Sequence, residues 1–205
     1  MMNRVIRVLT FCAVLLALTV DVASAQGGSR TFMERRIWYV DSDGRTGEAI
    51  YWRIFLGQYE DVRFRRRIPG QGDRIIPASM NFQLISSGYV EGNGVSTEQG
   101  VGRVSIQPHM RIKLENGEAH NVLIDAIDYI YDYGTKVALK DGRKGDFLIH
   151  TDADMELEVR RFQLTEFRMV GEELREVSDR MPIVAIAFSR EALPKAQAEP
   201  VTDVD

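Results

Sequence analysis

Turn signals divide this chain into many short apolar segments, and they limit its fold more than any other feature of the sequence. Asp43-Gly44, Asn116-Gly117 and Asp141-Gly142 each lie between segments rich in β-branched and aromatic residues. Glycine after Asp or Asn suits the positive φ that tight hairpin loops need. Turns at intervals of about 8–15 residues are typical of antiparallel β-structure. The sequence therefore predicts an all-β fold of about nine to eleven short strands.

The first half of the chain contains the segments expected to form two hairpins. The predicted strand pairs are Thr31–Val40 with Thr46–Leu56, and Tyr59–Ile68 with Arg74–Ser86. Proline cannot donate a ladder hydrogen bond, so Pro77 indicates an edge position or a bulge in the fourth strand.

The Asn116-Gly117 step predicts the most sharply specified hairpin, joining Arg103–Glu115 to Glu118–Ile127. A two-residue loop fixes the register and places Leu114 opposite Ala119 and Ile112 opposite Asn121. One face of this hairpin is then mainly apolar, as a core-facing sheet requires.

The segment from Ala119 to Tyr133 allows two interpretations. Val122, Ala126 and Ile130 fall at helical spacing, which favours an amphipathic helix. The turn immediately before the segment and its Val, Ile and Tyr content favour a strand, and we predict a strand.

The second half predicts further strands at Thr135–Lys140, Phe147–His150 and Met181–Phe188. Between the last two of these strands, the alternating apolar residues switch from one face of the chain to the other without a turn residue. This switch predicts a β-bulge near Arg160-Arg161. An antiparallel meander of such strands can form a sandwich, an open barrel or a β-roll.

The N-terminal 25 residues have the pattern of a cleaved signal peptide. Arg4 and Arg7 precede an apolar run from Val8 to Val20, and Ala23-Ser24-Ala25 supplies small residues for cleavage. The run is shorter than the roughly 20 residues of a membrane span. We therefore predict a signal peptide at 1–25 with no stable membrane span after cleavage, a single β-rich domain at 26–190, and a disordered tail at 191–205.

Composition excludes several kinds of chemistry. The only cysteine, Cys12, lies within the predicted signal peptide. The remaining chain can form no disulfide, thiolate metal site or cysteine nucleophile. No catalytic signature is present, so we expect neither an enzyme nor a cofactor. The net charge of −4 and the absence of a basic and aromatic platform argue against nucleic-acid binding. The expected location is periplasmic or secreted.

Arg63, Arg65 and Arg67 alternate along one predicted strand and therefore share a face. Arginine binds carboxylate and phosphate groups bidentately, so this face is a candidate anion-binding or partner-binding site. The alternative is cross-strand pairing with an acidic strand such as Asp152–Glu158, where an exposed pair contributes little to stability.

The segment from Gly88 to Gly102 contains five glycines and is predicted to be a long mobile loop. Tyr89 and Asn93 within it are candidate partner-contacting residues.

Two groups of residues could in principle bind a metal ion, but neither is expected to do so. Four alternating carboxylates in Asp152–Glu158 could bind calcium, but a flat strand spaces them about 7 Å apart. The histidines at 109, 120 and 150 do not converge in the predicted register. We predict no metal site.

Residues 126–142, Ala-Ile-Asp-Tyr-Ile-Tyr-Asp-Tyr-Gly-Thr-Lys-Val-Ala-Leu-Lys-Asp-Gly, resemble one repeat of the periplasmic β-jellyrolls that bridge lipopolysaccharide to the outer membrane. The resemblance implies a jellyroll fold with a lipid-binding groove.

The first hypothesis is an exported, non-enzymatic β-domain that acts as a binding or assembly component of the bacterial envelope or exterior. Its expected partner is an envelope protein or an acidic envelope glycan or lipid. The second hypothesis is the lipid-binding jellyroll, and the third is an unrecognised hydrolase.

Overall fold

A computed structural model describes residues 32–96, 102–151 and 154–198, so the predicted signal peptide lies outside the described residues. The described chain is mostly antiparallel β-sheet. Its strands are β1 (Ile37–Asp41), β2 (Thr46–Ala49), β3 (Tyr51–Ile68), β4 (Gly72–Ile85), β5 (Val90–Ser96), β6 (Arg103–Ile106), β7 (His109–Leu114), β8 (Ala119–Asn121), β9 (Ile127–Tyr131), β10 (Lys136–Leu139), β11 (Lys144–His150), β12 (Glu156–Glu158), β13 (Gln163–Val170), β14 (Glu173–Glu176) and β15 (Met181–Ala187). One helix, α1 (Leu193–Ala198), and two 3-10 turns, Ile124–Ala126 and Arg190–Ala192, accompany them.

The strands form one open sheet that is not closed into a barrel, with the order β6-β5-β4-β3-β13-β15-β9-β10-β11-β7-β8. Consecutive strands are neighbours from β3 to β6 and from β9 to β11, so the predicted meander is present only locally. Consecutive strands also pair in β1–β2, β7–β8, β11–β12 and β13–β14, whereas neighbours such as β3 with β13 and β11 with β7 are distant in sequence.

Strand β15 connects the two halves of the sheet. We call β3–β6, β13 and β14 the small half, and the remaining strands the large half. At its start β15 pairs with β13 through Leu164 and Met181. Towards its end it pairs with β9 through Ile186 and Ile130, and with β1 on its other side.

The main core takes side chains from both halves. Trp52 and Phe82 of the small half and Phe147 of the large half are within 1% of complete burial, and they belong to one apolar cluster. Burial of each such side chain contributes roughly 1.5–3 kcal/mol. The Trp52 indole N–H, which would be costly to bury unpaired, donates a 2.6 Å hydrogen bond to the Arg35 carbonyl.

A second apolar cluster lies on the other face of the large half. Leu193 and Ala196 of α1 pack there with Tyr129, Tyr131 and Ala185. The prediction of a disordered tail from residue 191 is therefore wrong for residues 191–198, and residues 199–205 lie outside the described part. Tertiary burial of Leu193 and Ala196 stabilises a helix too short to form alone.

The Asp43-Gly44 turn forms the predicted hairpin between β1 and β2. Gly44 has a φ of 79°. The Asp41 carboxylate accepts hydrogen bonds from the backbone N–H groups of Asp43 and Arg45, at 2.9 and 2.7 Å. Asp141-Gly142 likewise connects β10 to β11, with the Leu139 N–H donating to the Arg143 carbonyl.

The Asn116-Gly117 hairpin is present, but its register differs from the prediction by one residue. Lys113 lies opposite Ala119, where Leu114 was expected. The Leu114 N–H donates to the Glu118 carbonyl, so the loop has three residues rather than two. Gly117 still has a positive φ, 85°. A loop of either length can use glycine at this position, which is why the sequence did not distinguish them.

The strand prediction for residues 119–133 is correct in part. Ala119–Asn121 and Ile127–Tyr131 are strands, but the 3-10 turn Ile124–Ala126 separates them, and no α-helix forms. The second strand pairs with β10 and β15 and not with Arg103–Ile106 as expected. The segment that resembles a jellyroll repeat thus forms the β9–β10 hairpin.

The predicted bulge near Arg160-Arg161 is confirmed by its hydrogen bonds. The backbone N–H groups of both residues donate to the Leu56 carbonyl, at 3.0 and 3.2 Å. Two residues opposite one are the defining feature of a bulge.

Candidate functional site

The β3–β4 hairpin extends beyond the strands that flank it. Strand β13 pairs with β3 only from Tyr51 to Phe55, and β5 pairs with β4 only from Ala78 onward. Between Arg63 and Pro77, β3 and β4 pair only with each other within the described residues. We call residues 63–77 the arginine arm.

A backbone irregularity lies at the base of the arm. The β3–β4 register shifts between Tyr59 and Val62, and Asp61 has a φ of 56°, in the left-handed region that Asp and Asn adopt more readily than most other non-glycine residues. Such a bulge bends a strand and increases its twist. Beyond it, Ile76 still packs in the main core, whereas residues 65–67 and 73–75 are exposed.

The arm presents the three predicted arginines on one face. Arg63 lies opposite Pro77, Arg65 opposite Ile75, and Arg67 opposite Asp73. All three arginines are exposed, and the Ile75 side chain beside Arg65 is 55% exposed. The site therefore combines guanidinium groups with an apolar surface.

Two further arginines belong to the arm and were not predicted as site residues. Arg66 and Arg74 lie opposite each other, on the other face of the ribbon. The arm thus contains five arginines and one aspartate, Asp73. Arginines on both sides of the turn at residues 69–71 were the available sequence signal.

The acidic strand that was the alternative partner for these arginines makes other contacts. Glu156 pairs with Arg111 at 3.1 Å, and Asp154 lies 3.6 Å from His150 Nε2. Asp152 lies outside the described residues. Within the described chain Arg63, Arg65 and Arg67 form no ion pair. The contact between the arm and this segment is made by the Arg63 backbone N–H, which donates to Met155 Sδ at 3.4 Å.

Tyr89 and Asn93 are not brought together with the arginines. Tyr89, 49% exposed, follows the end of β4 that is farthest from the arm. Asn93 is exposed on β5 opposite Asn81. The predicted loop at Gly88–Gly102 is wrong for Val90–Ser96, which is strand β5, and residues 97–101 lie outside the described part. Alternating glycines fit there because Gly94 contacts the backbone of β4 closely.

The structure places His109 directly opposite His150. The sequence register did not show this pair because three other strands separate β7 from β11 along the chain. The described residues contain no group of three potential ligands that could hold a metal ion.

A polar pocket of about 410 Å³ lies between β7, β10, β11 and β12. Lys136 donates a 2.5 Å hydrogen bond to Asp146 within it, and this bond raises the pKa of Lys136. Because these two charges are already paired, the pocket is a weaker candidate for an anion site than the arm.

No protein-family model, curated protein or solved structure matches this chain. In the part of the chain that the structure describes, no helix is both long enough and apolar enough to cross a membrane.

Proposed function

We propose that this protein is an exported, non-enzymatic β-domain that binds an acidic component of the bacterial envelope or exterior through its arginine arm. The observation that carries the proposal is the exposure of Arg63, Arg65 and Arg67 on a two-stranded ribbon, with no ion pair for them among the described residues. Arginine binds carboxylates and phosphates with two parallel hydrogen bonds. An acidic ligand would therefore supply the partner that this chain does not.

The charge distribution supports the same function. The whole chain has a net charge of −4, whereas the arm has five arginines and one aspartate. A local positive surface on an acidic protein attracts and orients anionic partners while the rest of the surface repels them. This arrangement favours docking through the arm.

The periplasmic or secreted location is part of the proposal and is supported by the N-terminal pattern of Arg4, Arg7, Val8–Val20 and Ala23-Ser24-Ala25. For the architecture we favour a two-layer, sandwich-like arrangement of the small and large halves, because one core contains side chains of both. The alternative lipid-binding jellyroll needs a hollow between the layers. Large buried side chains such as Trp52, Phe82 and Phe147 argue against one.

The proposal is tested with a triple variant and a charge-matched control. Arg63→Gln/Arg65→Gln/Arg67→Gln removes three arm charges, and Arg143→Gln/Arg168→Gln/Arg175→Gln removes three exposed charges elsewhere. The probes are poly-L-glutamate, polygalacturonate and vesicles containing phosphatidylglycerol, each at low and moderate salt. We expect the arm variant to bind at least one probe roughly 10-fold or more weakly than the control, with binding that falls as salt is added.

Equal binding by the two triple variants would contradict the proposal. A lower melting temperature of the arm variant with undiminished binding would show that the arginines act in stability alone.

A further inference from the structure

We propose that the outer edge of β3 in the arginine arm accepts an extended acidic peptide segment of a partner protein as an additional antiparallel strand. This inference rests on the proposed function, because it specifies the partner class and the binding mode of the same arm. Strand addition obtains affinity from main-chain hydrogen bonds and specificity from alternate side chains.

The first observation is an unpaired strand edge. From Val62 to Ile68, β3 pairs with β4 on one side, and no described strand pairs with it on the other. At its start the Arg63 N–H already donates to Met155 Sδ, so an added strand that reaches Arg63 has to displace this side chain. Without Arg63 the edge runs from Phe64 to Ile68, about the length of a typical strand. Unpaired edges of this length are templates for pairing with another chain.

The second observation is the direction of the backbone groups. The Arg63 N–H donates to Met155 Sδ, which belongs to neither strand of the arm, so this N–H points away from β4. Backbone groups alternate in direction along an antiparallel pair, and those of Arg65 and Arg67 therefore point outward as well. Pro77 lies opposite Arg63. Because proline has no N–H, its position there is consistent with a residue pair that exchanges no hydrogen bonds between β3 and β4.

The third observation is the charge of the outward-facing residues, which determines the chemistry of the partner strand. Residues of an added antiparallel strand that exchange hydrogen bonds with Arg63, Arg65 and Arg67 lie directly opposite them, and their side chains are on the same face. Opposite charges at these positions attract, and like charges repel. A strand with Glu or Asp at every second position complements all three arginines.

The same geometry excludes a second copy of this chain. If two β3 edges paired antiparallel, their outward-facing residues would meet, and these are Arg63, Arg65 and Arg67 in both copies. Every such register places arginine opposite arginine, which costs free energy. The edge therefore disfavours self-association and selects an acidic strand.

The test uses synthetic nine-residue peptides and the purified full chain. The first peptide has Glu at alternate positions with Thr between them, and the second has the same composition with the Glu residues grouped at one end. Two further peptides are N-methylated, either at the Glu residues or at the Thr residues between them. The Glu amides face β3 in the proposed pairing and the Thr amides face away, so each modification is the control for the other.

We expect the alternating peptide to bind at least 10-fold more tightly than the grouped peptide. N-methylation of the Glu residues should abolish that advantage, and N-methylation of the Thr residues should leave it within about 3-fold. Arg65→Gln should weaken binding of the alternating peptide several-fold, whereas Arg66→Gln, on the opposite face, should reduce it less.

Equal affinity for the alternating and grouped peptides, or for the two N-methylated forms, would overturn strand addition while leaving the arm as a site for anions. Arm-dependent binding of polygalacturonate or vesicles with no binding of any peptide would replace the peptide by a glycan or lipid. If no acidic probe binds through the arm, the proposed function itself fails.

Discussion

The Tyr39 hydroxyl donates a 2.7 Å hydrogen bond to Glu166 Oε1 and so connects β1 of the large half to β13 of the small half. Burial, and then the hydrogen bond to Glu166, raise the pKa of Tyr39 to about 12. Burial also raises the pKa of Tyr59 to about 12, and the Tyr59 hydroxyl donates to the Glu158 carbonyl. Both tyrosines thus help to hold separate strands together in their neutral form.

Stability should decline at alkaline pH because of these two tyrosines. Their pKa values are about 10 in the unfolded chain and about 12 in the folded protein. Their contribution is therefore complete below pH 10 and is lost as the pH rises from 10 to 12. Urea unfolding at pH 9, 10 and 11 should show this decline, and Tyr39→Phe/Tyr59→Phe should make it shallower. The exposed Tyr89→Phe is the control, and a slope equal to that of the double variant would contradict this assignment.

Gly94→Ala should destabilise the protein by about 1–3 kcal/mol. A Cβ at Gly94 would lie 2.1 Å from the Ser79 carbonyl oxygen, and a backbone atom within a paired strand cannot easily move away. Gly102→Ala is the control, because no atom lies within 4 Å of the position that its Cβ would take, and we expect a change within about 0.5 kcal/mol. Chemical denaturation measures both, and equal effects would show that β4 and β5 are less closely apposed.

Gly117→Val should cost about 1–3 kcal/mol, because a β-branched residue would be forced to positive φ. No atom lies within 4 Å of the added Cβ, so the loss would come from backbone strain and not from a clash. Gly117→Asn should cost less, since Asn tolerates the left-handed region. The denaturation midpoints of the two variants measure this difference. An unchanged midpoint for the valine variant would rule out the positive φ.

Leu193→Ala should lower the free energy of unfolding by about 2 kcal/mol or more, because Leu193 is 8% exposed and packs on the large half. Lys195→Ala, which removes a 3.6 Å ion pair between the exposed Lys195 and the half-buried Asp128, should cost no more than about 1 kcal/mol. Thermal or urea unfolding measures the loss of stability of the two variants. If both changes were neutral, the C-terminal segment would not be packed.

The export prediction is checked by N-terminal sequencing of the protein recovered from the envelope or the medium. We expect Gln26 as the first residue, because Ala23 and Ala25 provide the small side chains that cleavage requires. Ala25→Phe should leave the chain uncleaved. Recovery of the unaltered chain with Met1 or Met2 at its start would instead favour a retained N-terminal anchor.

Local features of the fold could be predicted from the sequence because neighbouring residues determine them. Glycine after Asp or Asn marks the turns at Gly44 and Gly142, and the change of apolar phase marks the bulge at Arg160-Arg161. Alternation placed Arg63, Arg65 and Arg67 on one face.

Long-range pairing could not be predicted because many strands have similar apolar patterns. Nothing in the composition of β3 indicates β13 as its neighbour. Burial also overrides local composition, as in α1, where Leu193 and Ala196 stabilise a segment whose prolines and small residues suggested disorder. The extent of the arginine arm depends on where β13 and β5 stop pairing, so it too required the structure.

The position of β15 has a consequence for the order in which the molecule can assemble. Its partners β1, β9 and β13 are all synthesised before it, and β1 precedes it by about 140 residues in the chain. Hairpins such as β3–β4 can form from the nascent chain alone, but the β15 pairings that link the two halves cannot form until the chain has been made as far as Ala187. Closure of such long chain segments is slow relative to hairpin formation. Until then the apolar faces of both halves stay exposed, and such surfaces make an incompletely folded chain prone to aggregate.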